Sequence, residues 1–320
     1  MTAARLNLGL ILALVTATLL SLIAGKVWVA PFGNDLNAHI IIAELRLPRA
    51  VLAMIIGAGL GMAGAAMQGF LRNPLADPGL FGIAPMAALG AVLSLYFGFA
   101  VSAWLLPLFA LIGAALAMAL LSLIAGRSAS LVLFTLAGMM IASLAGAFTA
   151  LAISLAPTPF AMTEIVTWLM GALTDRSWRD VWIAGPLVLL GCGVLILTAR
   201  SLDALSLGEA AARSMGVSMQ QLQALLIIGI GLTVGASVAV AGIIGFVGLV
   251  VPHLMRPLTD GRPSQLLLPS ALAGALLLVV ADSLVRLMPM AGELRLGIAL
   301  SLIGGPFFLW LLLDMRRKLA

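Results

Sequence analysis

The stretch LGLILALVTATLLSLI (residues 8–23) carries no charge, and LLLPSALAGALLLVVA (266–281) repeats that character near the other end of the chain. Strands that cross a bilayer alternate apolar and polar residues. These runs are instead continuous, as membrane-spanning helices require. The rest of the chain agrees: 63% of its 320 residues are hydrophobic and 9% charged, whereas a soluble domain carries about 25% charged residues. No water-soluble fold of this length hides so much apolar surface, so the solvent is lipid. The expected fold class is an all-α membrane protein.

A bilayer is crossed by about 20 apolar residues in a helix. Breaks at charge, Pro or Gly clusters predict ten spans, near 7–28, 48–70, 80–100, 103–125, 130–153, 181–199, 221–241, 243–257, 266–287 and 296–315. The seventh and eighth are separated only by Ala241-Gly242-Ile243-Ile244-Gly245. Arg5 followed by an apolar run resembles a signal peptide, but the remaining chain is equally hydrophobic, so an uncleaved first span is expected. An even count puts both termini on one side. With both inside, ten basic residues are cytoplasmic (Arg5, Arg72, Arg127, Arg200, Arg213, Arg256, Arg262, Arg316, Arg317, Lys318) and seven outside (Lys26, Arg46, Arg49, Arg176, Arg179, Arg286, Arg295). The excess of inside charge favours that orientation. The outward arginines run against it, which points to another job for them.

Small residues recur along single helix faces, as at Gly57, Gly61 and Ala65, or Gly235, Ala239 and Gly242; they let helices approach closely in lipid. Two polar segments exceed simple turns. Residues 154–180, which include PTPFAMTEIVTWLMGALTDRSWRD (157–180), fall outside, with Trp168 and Trp178 suited to an interfacial helix. Residues 200–219 (RSLDALSLGEAAARSMGVSM) fall inside and read as short helices broken by Gly208 and Gly216.

Several chemistries are excluded. The net charge of +5 is scattered, with no basic cluster larger than Arg316-Arg317-Lys318, so nucleic acid is not an expected partner. No GxxxxGK[ST] phosphate loop, GxSxG elbow or HExxH zinc motif occurs. His39 and His253 lack companions at metal-ligand spacing, so no metal site is expected. Cys192 stands alone in an apolar run, and the 16 Met residues form no clustered repeat. Asp282 is the best candidate for an ionisable group within a span, and Arg286 one turn on reads as its partner in an ion pair on the helix surface. Energy for transport must come from elsewhere.

RLPRA (46–50) followed by GAGLGMAGAAMQGFLRNPLADPGLFGI (57–83) resembles the signature of FecCD-type permeases, the membrane subunits of importers for ferric siderophores, haem and cobalamin. LSLGEAAARSMGV (205–217), AGIIGFVGLVVPHLMRPL (241–258), LLPSALAGALLLVVADSLVR (267–286) and GGPFFLWLL (304–312) extend the resemblance through nearly the whole chain, in order.

The resemblance implies a type II ABC importer bundle of ten helices per subunit, one permease domain over residues 1–320, in the bacterial inner membrane. It implies a second permease subunit, two ATPase subunits that carry ATP and Mg, and a periplasmic or lipid-anchored substrate-binding protein. This chain would hold no cofactor and break no bond. Arg46, Arg49 and Arg286 would receive carboxylates of the binding protein, since a guanidinium fork holds a carboxylate by two bonds; interface anchoring is the alternative. Asn73 and Leu75 would belong to a cytoplasmic gate, or to a plain tight turn. Gly208, Glu209, Arg213 and Gly216 would lie in coupling helices that fit the ATPase, or in a solvated helix with an ordinary Glu–Arg pair. Ser143 and Thr149 would line the path, with Gly138 and Gly146 beside them. The expected cargo is an iron chelate, with cobalamin as the alternative; an ion-coupled secondary transporter is the rival mechanism.

Overall fold

The computed structural model describes residues 3–25, 28, 39–125, 130–289 and 292–319. Lys26 and Arg127, and the side chains of Arg317 and Lys318, lie outside what it describes. Thirteen α-helices are described, with no strand among the described residues: α1 Ala3–Ile23, α2 Leu47–Leu71, α3 Ile83–Tyr96, α4 Leu105–Ala125, α5 Leu131–Ser154, α6 Pro159–Leu169, α7 Trp178–Leu197, α8 Ala199–Ser206, α9 Glu209–Ser214, α10 Met219–Ala241, α11 Val247–Met255, α12 Pro263–Leu287 and α13 Leu296–Leu319.

The ten apolar segments read from the sequence all form helices, in the expected order. Eight are long and apolar enough to cross a membrane. The segments expected at 80–100 and 243–257 are shorter than read. Gly82 (φ 79°) and Gly98 (φ 72°) bracket α3, and Pro78–Phe81 form a separate turn before it. Gly242 (φ 71°) and Phe246 (φ 67°) likewise open a break between α10 and α11. Left-handed backbone stops a helix wherever it falls, so α3 keeps 14 residues and α11 only 9. At about 1.5 Å per residue neither crosses a hydrocarbon core of roughly 30 Å alone.

Helices α2 and α10 form the buried axis: 78% of each span's apolar core is buried within the chain, against 11% for α1 at the periphery. The most extensive pairing is α2 with α12. It is made by glycine, because a Cβ on Gly57 would overlap the carbonyl of Gly274, and one on Gly64 would overlap that of Gly248 in α11. Close backbone approach replaces the hydrophobic force that lipid does not supply.

The segment 154–180 forms α6, capped by the Thr158 hydroxyl accepting from Ala161 N (3.1 Å), and then the start of α7, where Ser177 and Asp180 make a capping box. Trp168 packs inward against the core, and Trp178 donates Nε1 to the Ala43 carbonyl at 3.0 Å. Both indoles are half-buried joints between elements, not purely interfacial anchors.

Candidate functional site

The 25 residues of α2 separate two polar ends by roughly 37 Å. At its N-terminal end three arginines converge. Arg49 donates Nε to both oxygens of Asp282 (3.0 and 2.9 Å) and Nη2 to Oδ1 (2.8 Å). The same Nη2 lies 2.9 Å from Glu293 Oε2, which also accepts from the Thr174 hydroxyl at 3.1 Å. Arg286 Nε sits 3.4 Å from Asp282 Oδ2, while its Nη2 donates to the carbonyl and hydroxyl of Ser21. Arg46 donates Nη1 to the carbonyls of Leu22 (2.9 Å) and Ile23 (2.7 Å). These are carbonyls of the last turn of α1, where acceptors lack partners within the helix proper, so the guanidinium caps that helix.

Asp282 is therefore not part of a surface pair. It is 2% exposed, and its closest partner is Arg49 on α2 rather than Arg286 on its own helix. The close seam between α2 and α12 carries both groups out of solvent, where a carboxylate needs a fork of donors. Glu293, Thr174 and Ser21 were not legible as members, because they come from segments far apart in the chain. Burial alone would raise the Glu293 carboxyl; the Arg49 hydrogen bond and charge, with help from Thr174, hold it below the ordinary carboxylate value. An open cleft of about 290 Å³ lies over the group, lined by Gly25, Ile41, Leu45, Arg46, Arg49, Arg286 and Glu293.

At the opposite end, Arg72 (φ 51°) closes α2 and the loop folds on its own side chains. Asn73 N donates to Gln68 O (3.1 Å), Asn73 Oδ1 accepts from Leu75 N (3.0 Å), and Asp77 Oδ1 accepts from Gly79 N (2.7 Å). Two successive Asx turns thus replace helix through Pro74 and Pro78. Asn73 is exposed and Leu75 half-buried. Burial pushes the Asp77 carboxyl above its ordinary value, opposed by the Gly79 N–H. Beneath the loop, buried Gln68 accepts from Arg256 Nη2 (2.9 Å) and donates to the carbonyls of Gly248 (3.4 Å) and Leu249 (3.3 Å). This clamp between α2 and α11 escaped the sequence reading, although a glutamine inside an apolar run was its signal.

The hairpin α8–α9 lies at the same end. Leu202 and Leu205 are fully buried, and Asp203 Oδ1 accepts from Ser264 N (2.9 Å) in the first turn of α12. Gly208 (φ 109°) and Gly216 (φ 83°) set the corners around α9, where Glu209 and Arg213 pair at 3.5 Å. Leu207 and Met215 stand 69% and 62% exposed beside a cleft of about 420 Å³ that Arg200, Asp203 and Arg262 also line. On α5, Gly138 is buried against Phe81, Ser143 is exposed and Thr149 half-buried. The expected site residues thus fall into separate groups: the arginines at one end, the loop and hairpin residues at the other, and the α5 residues along one helix but on different sides of it, Gly138 buried and Ser143 exposed.

A two-ended helical bundle with these motifs has known counterparts. The model of the FecCD transport family matches residues 7–314. The chain belongs to the FecCD transport family. Among its relatives, vitamin B12 import system permease proteins BtuC from Salmonella typhi and Salmonella newport (strain SL254) are each 38% identical over 322 aligned residues, covering 98% of this chain and 96% of theirs. A solved structure described as an inward-facing conformation of a metal-chelate type ABC transporter superposes with a TM-score of 0.90 at 32% identity, over 97% of this chain and 99% of that one. PsaBC from Streptococcus pneumoniae, in complex with Fab, shares the fold at a TM-score of 0.54 and 19% identity, over 82% of this chain and 89% of that one. Membership of the FecCD family makes this chain a multi-pass membrane permease.

Proposed function

We propose that this chain is the membrane subunit of an ATP-driven importer that carries a cobalamin-class corrinoid into the cytoplasm by alternating access. The observation that carries the cargo is 38% identity to B12 permeases along 98% of the chain. The sequence alone favoured an iron chelate, which rests on the breadth of the family. The 0.90 superposition on a metal-chelate transporter supports a chelated metal of some kind as the second reading.

Two permease copies stand over two ATPase subunits that bind ATP and Mg, and a substrate-binding protein delivers cargo from the periplasm. The arginine end faces that protein, and the α8–α9 hairpin and the Asn73–Leu75 loop face the cytoplasm, as do both termini. Support comes from the separation of the two ends and from the exposed Leu207 and Met215, an apolar edge suited to a protein cleft. Ser143 and Thr149 line the path at the contact between copies, where the large cargo meets weakly polar groups. No carboxylate network of the kind a proton relay needs is found within the described spans apart from the Asp282 cluster, which its arginines already satisfy. That observation disfavours an ion-coupled mechanism.

The test is ATP hydrolysis and uptake in proteoliposomes holding the permease with its co-expressed ATPase. Stimulation by a corrinoid-loaded binding protein, with accumulation of cyanocobalamin and not of a ferric siderophore, is the expected result. Accumulation of the siderophore instead selects the iron-chelate cargo. Failure of any ATPase to associate removes the importer reading altogether.

A further inference from the structure

The Arg49 guanidinium holds two carboxylates of different standing. Asp282 is 2% exposed, bound through three hydrogen bonds and fixed on α12. Glu293 meets Arg49 through one contact at 2.9 Å and Thr174 through one at 3.1 Å, keeps 25% of its side chain exposed, borders the open cleft, and comes from the short connection between α12 and α13. We propose that Glu293 is an internal placeholder in a carboxylate-binding site on Arg49 and Thr174, and that a carboxylate on the docking protein replaces it. The inference rests on the docking reading above and assigns how the site is regulated.

The geometry of the site is drawn by its present occupant. A carboxylate oxygen sits 2.9 Å from Arg49 Nη2 and 3.1 Å from the Thr174 hydroxyl. Exchange of one carboxylate for another leaves Arg49 satisfied throughout, so the step avoids stranding a buried cation. Charge permits the exchange. Arg46, Arg49 and Arg286 face Asp282 and Glu293, a local balance of one positive charge that becomes two when Glu293 leaves. An incoming anion restores the original balance.

The exchange also has somewhere to send its effect. Glu293 joins the 292–295 segment to Thr174, and the same loop is tied to two spans. Gly171 O accepts from Gly297 N (3.1 Å) at the start of α13, and Ala172 N donates to Ala241 O (2.8 Å) at the end of α10. Loss of the Glu293–Thr174 bond frees one end of that bridge when the partner docks.

The test compares wild type with E293Q and E293D in the permease–ATPase complex in lipid nanodiscs. The probe is the binding protein that stimulates hydrolysis in wild type, and its dissociation constant is read. Both substitutions weaken the placeholder and leave Arg49 and Thr174 in place, so tighter binding is expected, about fivefold or more for E293Q and less for E293D, whose shorter side chain keeps the charge. E293D keeps the test open if E293Q folds poorly. Unchanged or weaker binding in the variants overturns the placeholder while leaving the importer reading intact. No stimulation of wild type by any binding protein removes the docking reading, and the placeholder with it.

Discussion

Arg49 and Asp282 lie 233 residues apart in the chain, yet they meet through three hydrogen bonds of 2.8–3.0 Å at the end of the α2–α12 seam. Breaking such a pair from one side strands a charge, which costs about 3–5 kcal/mol, whereas removing both partners is often tolerated. Asp282→Asn or Arg49→Leu should therefore lower the thermal midpoint of the purified protein sharply. Arg49→Leu combined with Asp282→Leu should cost less than the sum of the two single losses, with Arg286 and Glu293 still left short of a partner. Additive losses in the double variant would show that the two side chains act separately.

The seam itself is set by small residues. A side chain on Gly274 meets the Gly57 carbonyl, and backbone moves less readily than a side-chain tip. Gly274→Val should destabilise by about 3 kcal/mol, the upper range for overpacking. Gly9→Ala meets nothing within 4 Å on the outer surface of α1 and should be neutral or stabilising. Detergent unfolding of the two variants checks the contrast.

Much of this architecture was legible beforehand, for physical reasons that differ by element. Continuous apolar runs located the spans because lipid demands them, and the glycine stripe at Gly57 and Gly61 announced close helix packing without naming α12 as the partner. Gly82 and Phe246 shortened two spans for a reason composition hides: left-handed backbone is a property of the fold around it. Arg46, Arg49 and Arg286 were found as residues, but of their partners only Asp282 beside Arg286 was. Asp282 was paired with its neighbour one turn away, since helix periodicity shows only local partners, whereas the stronger bond crosses to α2. Gln68 and Arg256, 188 residues apart, escaped for the same reason.

Protonation should loosen the arginine end. The native Glu293 carboxyl sits below its ordinary value, because the Arg49 hydrogen bond and charge outweigh burial. A depressed acid contributes stability that is complete above the unfolded-state value and disappears as pH falls through the native one. The gap in thermal midpoint between wild type and Glu293→Gln should therefore be widest near neutral pH and close under acid. A gap that is flat with pH would mean that Glu293 contributes shape without charge.

The first turn of the loop after α2 rests on one side-chain amide. Asn73 Oδ1 accepts from Leu75 N at 3.0 Å, and alanine removes that acceptor while aspartate keeps it. A hydrogen bond of this kind is worth about 0.5–1.5 kcal/mol. Asn73→Ala should open residues 72–78 to limited proteolysis several-fold faster, and Asn73→Asp should resemble wild type. Equal protection in all three would assign the turn to Pro74, Pro78 and the Asp77 bond to Gly79 N.

Glu209 and Arg213 offer the cleanest separation of structure from function. Their pair spans 3.5 Å on a six-residue helix, with Arg213 more than half exposed. Such an i,i+4 pair stabilises a helix by only about 0.2–0.5 kcal/mol, so Arg213→Ala should leave the thermal midpoint nearly unchanged. Gly208 and Gly216, at φ 109° and 83°, hold the corners of α9 without help from that pair. If the hairpin seats in an ATPase cleft, the same substitution should still lower co-purification of the ATPase or its stimulation by the binding protein. A variant that is stable and fully coupled would return Arg213 to the solvated face of a short helix, and Leu207 and Met215 would then be the residues to test for the contact.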